Sequence, residues 1–278
     1  MKKIISLALA AIMLVCTLTL FASCGDDTIQ IGVQAGTTGE YFVNGDADWD
    51  FDGIEGYEAK GYSNGGLAVT DMKNGAIDYV IIDKAPALQL KKSISGIKVI
   101  DIELTQETYA FGVDKAQADL LASINNILAT RQDEIKAIIN KYAKGENIVG
   151  IESAKKDLDR AGEQLVVATN AAFAPFEYKD GNKFVGIDIE IMALVADALD
   201  LELVIEDMEF DSVVTSVGIN GVDVAAAGLS VNEERAKSVN FSNSYYDAAQ
   251  VLIVPSSCTD FDDCKTAQDV LDKFEELR

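Results

Sequence analysis

The chain has 278 residues, 46 acidic against 23 basic, and no histidine, for a formal charge of −23. That charge repels phosphate backbones and argues against nucleic acid as a partner; the missing imidazole excludes histidine acid–base chemistry and histidine-containing triads. Carboxylate and lysine chemistry stay open, and 49% hydrophobic residues are enough for the cores of two lobes.

Met1-Lys2-Lys3 followed by the apolar run Ile4 to Phe21 has the charged and apolar regions of a secretory signal. It ends in Phe21-Ala22-Ser23-Cys24, which is similar to the lipobox of a bacterial lipoprotein. Residues 1–23 are therefore expected to be removed, Cys24 lipidated, and 24–27 left as a short tether; an uncleaved membrane anchor is the alternative. Both place the rest outside the cytoplasm, at the cell surface or in the periplasm. Cys16 leaves with the signal, so Cys258 and Cys264 remain as a candidate disulfide in an oxidising compartment, with the geometry left open by the sequence.

From Ile29 onward short β-branched runs alternate with helical patterns, which predicts α/β layers. Strands are expected over Ile29 to Val33, Asp78 to Ile82, Ile97 to Ile102, Tyr109 to Val113, Gln164 to Thr169, Leu201 to Ile205, Asp223 to Ala227 and Gln250 to Val254. Helices are expected over Leu67 to Asn74, Leu120 to Leu128, Ile135 to Tyr142, Ile187 to Leu199 and Thr266 to Leu277. The polar stretch Ala143 to Gly162 reads as a connector between two halves, with a short helix in it. The turn Gly36-Thr37-Thr38-Gly39, between the first strand and a helical start, aims N–H groups and hydroxyls at one point and suits an anion. A phosphate loop needs a lysine after the glycines, where this chain has Glu40.

Three further residue sets carry candidate chemistry. Arg235, at a strand-to-helix turn, suits a carboxylate because a planar guanidinium matches two oxygens; on spacing alone, among Glu233 and Glu234, it reads rather as a solvated surface arginine. Asp83, at a strand end, points into a sheet-edge cleft or caps the helix that starts near Ala85. Phe173 and Phe210 read from their spacing as core. No metal cluster is visible and no cofactor is expected.

The run LVVATNAAFAPFEYKDGNKFVGIDIEI (165–191), with AAGLSVNEERAKSVNFSNSYYDAAQVLIV (226–254), resembles the first lobe of the amino-acid-binding solute receptors of ABC importers, extracellular solute-binding protein family 3. IGVQAGTTGEYF (31–42), with NGGLAVTDMKNGAIDYVIIDKAPALQL and ETYAFGVDK, resembles the second lobe and return segment of the same family. The resemblance implies a bilobed periplasmic-binding-protein type II fold: two α/β lobes joined by two crossover strands near Gln250 to Val254 and Tyr109 to Val113. Lobe 2 is expected in 28–104 plus 255–278, lobe 1 in 105–142 plus 163–254, and the connector in 143–162. The two halves stand in exchanged order relative to the family, so the chain reads as a circular permutant opened before Ile29. A monomer is expected, with a domain-swapped dimer as the alternative.

The function implied is capture of a free L-amino acid by hinge closure and delivery to an ABC permease in the membrane, without catalysis. Arg235 falls on the family's carboxylate-binding arginine, Thr38 completes that site from the other lobe, and Asp83 falls on the aspartate that takes the ammonium. Ser230 and Gly228 carry over as further polar contacts, and Phe173 and Phe210 as the aromatic pair around the ligand. Asn170, where receptors for basic amino acids commonly carry aspartate, and Gln34 are neutral amides, which favours a polar or neutral side chain. An arginine- or lysine-type receptor is the alternative, since Glu177, Glu206 and Glu209 are near in sequence. A dehydratase-like enzyme on the same fold is a further alternative, although no second carboxylate is legible beside Asp83.

Overall fold

The computed structural model describes residues 29–278, so the expected signal, Cys24 and the tether lie outside the described residues. The first half runs β1 (Ile29–Gln34), α1 (Thr38–Asn44), β2 (Tyr57–Tyr62), α2 (Gly65–Lys73), β3 (Tyr79–Asp83), α3 (Lys84–Ser93) and β4 (Ile97–Ile100). Then come β5 (Glu107–Tyr109), β6 (Gly112–Asp114), α4 (Ala118–Thr130) and α5 (Gln132–Lys144). The second half runs β7 (Gln164–Thr169), β8 (Ala172–Phe173), β9 (Glu177–Asp180), β10 (Lys183–Val185), α6 (Ile187–Ala198), β11 (Glu202–Asp207), α7 (Phe210–Ser216), β12 (Val224–Ala225), α8 (Glu233–Ser238) and β13 (Val239–Phe241). β14 (Tyr246–Ala248), β15 (Gln250–Pro255) and α9 (Ala267–Leu277) complete it.

Two five-stranded sheets result, ordered β2-β1-β3-β15-β4 and β11-β7-β12-β6-β13. In each, four strands run in one direction and the fourth position is filled by an antiparallel strand delivered from the other half: β15 in lobe 2 and β6 in lobe 1. The chain crosses between lobes twice, through β5 and β14, which pair antiparallel as a two-stranded ribbon.

Alternation along the strands explains how each sheet is covered on both faces. In lobe 2, Ile31, Val33, Ile81, Leu252 and Val254 pack with Phe42, Phe261, Val270 and Phe274 on one face. Their neighbours Val80, Ile82, Val251 and Ile253 pack with Ala68, Val69, Met72 and Ala87 on the other. The hydroxyl of Tyr57, on the strand that flanks β1, donates to the carbonyl of Phe274 at 2.9 Å and ties α9 to the start of the described chain.

Three expectations need correction. Gln250–Pro255 is a strand of the lobe 2 sheet, hydrogen-bonded to β3 and β4, so lobe 1 does not extend to 254. The crossings accordingly lie at Glu107–Tyr109 and Tyr246–Ala248, and the expected strand Tyr109 to Val113 is broken into β5 and β6 where the chain changes lobes. The short helix expected in the connector is a 3₁₀ segment, Leu158–Glu163. The rest of this connector runs along the outer strand of the lobe 1 sheet, where Ala154 N–H donates to Leu203 O at 3.0 Å and Ser153 Oγ accepts from Ile205 N–H at 2.8 Å, covering an edge that would otherwise be unpaired. Cys258 and Cys264 are free, partly buried thiols rather than a disulfide.

Gly186 fixes how α6 enters lobe 1. Its φ is +144°, and a Cβ there would stand 1.9 Å from the Phe176 carbonyl oxygen. Its N–H donates to the Tyr142 hydroxyl at 2.9 Å, which docks α5 beside it. Gly181, in the β9–β10 hairpin, also has positive φ but has nothing within 4 Å of an added Cβ. Gly186→Ala is therefore expected to cost about 2 kcal/mol or more, and Gly181→Ala only about 1 kcal/mol. Denaturant melts that rank the two variants the other way would contradict this account of the α6 entry.

Candidate functional site

Lobe 2 supplies one wall of the cleft between the lobes from two strand ends. β1 ends in Gln34, and the turn Ala35-Gly36-Thr37 leads into α1. Gly36 has φ +73°, a conformation that favours glycine, and a Cβ there would stand 2.1 Å from Asp211 Oδ1, so the Asp211 carboxyl of lobe 1 would have to swing aside. Thr38, fully sheltered at the start of α1, donates its hydroxyl to Ser230 Oγ at 3.3 Å across the cleft. β3 ends in Asp83, 5% exposed. Although it stands at the N-cap of α3, its side chain makes no capping hydrogen bond. It accepts instead from the Tyr109 hydroxyl on the crossing ribbon.

Lobe 1 supplies the opposite wall. Asn232 caps α8 by accepting the Arg235 N–H at 2.7 Å, which fixes where the arginine leaves the helix. The half-buried guanidinium donates to the carbonyls of Ser230 (2.8 Å) and, across the cleft, Gly36 (3.0 Å). It lies over the rings of Phe210 (5.3 Å) and Trp49 (5.8 Å). Among the described residues it has no carboxylate partner within ion-pair distance. Gly228, at φ +53°, makes room for Phe173, whose ring would lie 2.8 Å from a Cβ there.

Gln34, Thr38, Asp83, Phe173, Phe210, Gly228, Ser230 and Arg235 line one enclosed cavity of about 10 Å³, together with Thr37 and Ala227. Asn170, the remaining residue expected in the site, lies behind this lining and accepts a hydrogen bond from Gln34 at 3.1 Å. The lobes are thus closed on a space of roughly one water. Of the glutamates expected near the cleft, Glu206 is ion-paired with Lys156 at 2.7 Å and Glu209 is the N-cap of α7. Glu177 is fully buried with neither carboxyl oxygen hydrogen-bonded. Burial, then repulsion from Asp188 and Asp83, raises its pKa well above the usual range.

The sequence reading missed Tyr109, Trp49 and Glu107. Glu107, on the ribbon, accepts from the hydroxyls of Ser230 (2.5 Å) and Thr105 (2.6 Å) and from the Gln250 amide (3.1 Å). It is the second carboxylate near Asp83 that was not legible in the sequence. Burial first, then Glu107, pushes the Asp83 carboxyl up to about 7, against the lowering by hydrogen bonds from Tyr109 and Gln250. Lost solvation lowers the pKa of Arg235 from its ordinary value. No signal marks Glu107, since Ser230 and Gln250, which tie it to the cleft, are 123 and 143 residues away in sequence.

Residues 165–275 match the family model of bacterial extracellular solute-binding proteins, family 3. Over 111 residues the chain is 35% identical to the arginine-binding extracellular protein ArtP of Bacillus subtilis (strain 168), covering 40% of this chain and 41% of that protein. It is 31% identical over 94 residues to a putative ABC transporter arginine-binding protein of Escherichia coli (strain K12), covering 34% and 39%. Among solved structures, the arginine-bound domain 1 of TmArgBP is 29% identical, with 44% of this chain and all of that one covered and a TM-score of 0.31. The chain spans about two fifths of the length of the curated relatives it matches.

A carboxyl whose folded pKa lies above its unfolded one binds more protons folded than unfolded between the two values, so stability falls as pH rises across that window. For Asp83 the window runs from 3.8 to about 7. The ligand-free protein is therefore expected to lose melting temperature between pH 4.5 and 7.5, and Asp83→Asn to lose less of it. Equal slopes for the two proteins would mean that Asp83 is not held in this environment.

Proposed function

We propose that the chain, whose residues 165–275 match the model of the bacterial extracellular solute-binding proteins, family 3, is a non-catalytic, extracytoplasmic receptor that closes two lobes on a free L-amino acid and delivers it to an ABC permease. One observation carries this reading: Arg235, a cation without a carboxylate, and Asp83, a buried carboxyl without a cation, line the same cleft from opposite lobes. An amino acid presents a carboxylate and an ammonium on one carbon, and would satisfy both. Thr38 and Ser230 add hydroxyls on the carboxylate side. The lipobox-like Cys24 supports anchoring of the receptor to the membrane by lipid.

The neutral pair Gln34–Asn170 favours a polar or neutral ligand side chain. A basic side chain is the second reading, favoured by the arginine-binding names of the relatives and by the acidic ribbon residue Glu107. The exchanged order of the halves fits a permutant of the family's chain: β1 starts beside Tyr57, which is hydrogen-bonded to α9, so the cut falls between two elements that remain packed together.

A thermal-shift and calorimetric screen of the mature, unlipidated chain against the twenty amino acids tests the proposal. At least one is expected to raise the melting temperature by several degrees. Arg235→Ala and Asp83→Ala are each expected to weaken that ligand about 100-fold or more while the apo protein still melts cooperatively. Affinity should rise with pH through about 7, as Asp83 ionises to meet the ammonium. A cooperatively folded protein stabilised by no amino acid would defeat the reading.

A further inference from the structure

Gln34 is 3% exposed and lines the cleft, yet its carbonyl oxygen Oε1 has no hydrogen-bond partner. An unpaired buried acceptor is costly, and this one is held in place by its neighbours. The Met208 backbone carbonyl accepts only, so the Asn170 group that meets it at 2.7 Å must be the Nδ2 amide. Asn170 therefore turns its Oδ1 to Gln34, and the Gln34 group that meets Oδ1 at 3.1 Å must be Nε2. Gln34 Oε1 is what remains, an acceptor whose orientation traces back to one carbonyl.

We infer that this amide relay restricts the site to amino acids whose side chain carries a hydrogen-bond donor, such as a carboxamide, an ammonium or a guanidinium. The inference rests on the amino-acid reading above and deepens it. Acceptor-only carboxylate side chains meet Oε1 with like polarity, and aliphatic ones bury it unpaired. Because Gln34 belongs to lobe 2 and Asn170 to lobe 1, the relay exists only when the lobes are closed. The ligand is thus read at closure: a side chain without a donor weakens the closed state and not the first encounter. The donor class includes both glutamine-like and arginine-like side chains, so Asn170 discriminates through Gln34 rather than by its own charge.

The test is calorimetry of the mature chain with matched pairs: glutamine and glutamate, asparagine and aspartate, lysine and norleucine. In every pair with a measurable binder, the donor-bearing member is expected to bind at least about 30-fold more tightly. In Asn170→Leu the Gln34 amide is free to flip, and the amide-to-carboxylate ratio is expected to fall at least about tenfold, whatever the absolute affinity. Equal binding within a pair, or an unchanged ratio in Asn170→Leu, overturns the relay while leaving the receptor reading intact. If Asn170→Leu does not fold, the wild-type pairs decide alone. Binding of none of these or the other amino acids overturns the receptor reading, and the relay with it.

Discussion

A guanidinium left without a carboxylate is the constraint around which this cleft is built. Arg235 is held by two carbonyls and two aromatic rings, which orient it and carry away little of its charge. Asp83 is its counterpart, screened from solvent and given a phenolic donor but no cation. Pairing the two directly would relieve both, but they sit on separate sheets and meet only where the lobes close. Each charge is therefore available to a molecule that enters between them. The protein accepts a less stable ligand-free state in return, as the raised pKa of Asp83 records.

The exchange of strands between lobes is what keeps these groups in register. Each sheet takes its fourth strand from the far side of the ribbon β5–β14, so the lobes cannot separate without bending that ribbon. Glu107 and Tyr109 lie on the ribbon itself and touch Ser230 and Asp83, so the ribbon is bonded to both walls of the cleft. Residues 29–100 and 164–241 each supply four strands of one sheet, whose fifth strand, β15 or β6, comes from beyond the ribbon.

Much of this was legible because it depends on local pattern. The β-branched runs gave the central strands of both sheets, where burial on both faces leaves an apolar signature. The edge strand Tyr57–Tyr62, with glutamate, lysine and glycine in it, has no such signature and was missed. The hairpin β9–β10 carried its turn signal, Asp180-Gly181, but its strands are short and polar. Gln34, Thr38, Asp83, Gly228, Ser230 and Arg235 could be named because they stand at strand ends and turns within recognisable motifs. Trp49, Glu107 and Tyr109 could not, since their roles arise only when distant segments meet. The end of lobe 1 was misplaced for a related reason: Gln250–Pro255 follows lobe 1 in sequence but pairs in lobe 2.

The closed cleft encloses about 10 Å³, far less than an amino acid needs. Across it run three polar contacts: Thr38 to Ser230, Arg235 to the Gly36 carbonyl, and Gln34 to Asn170. At about 0.5–1.5 kcal/mol each, they hold the empty lobes together only modestly. On the proposed function, a ligand would take over the Arg235 and Thr38 donors that close these contacts, so its affinity would reflect the difference between its own bonds and those it replaces. Gln34 to Asn170 is the exception. It leaves Oε1 free, so a ligand can add a bond there without breaking one, which makes this end of the cleft the place where one side chain gains over another.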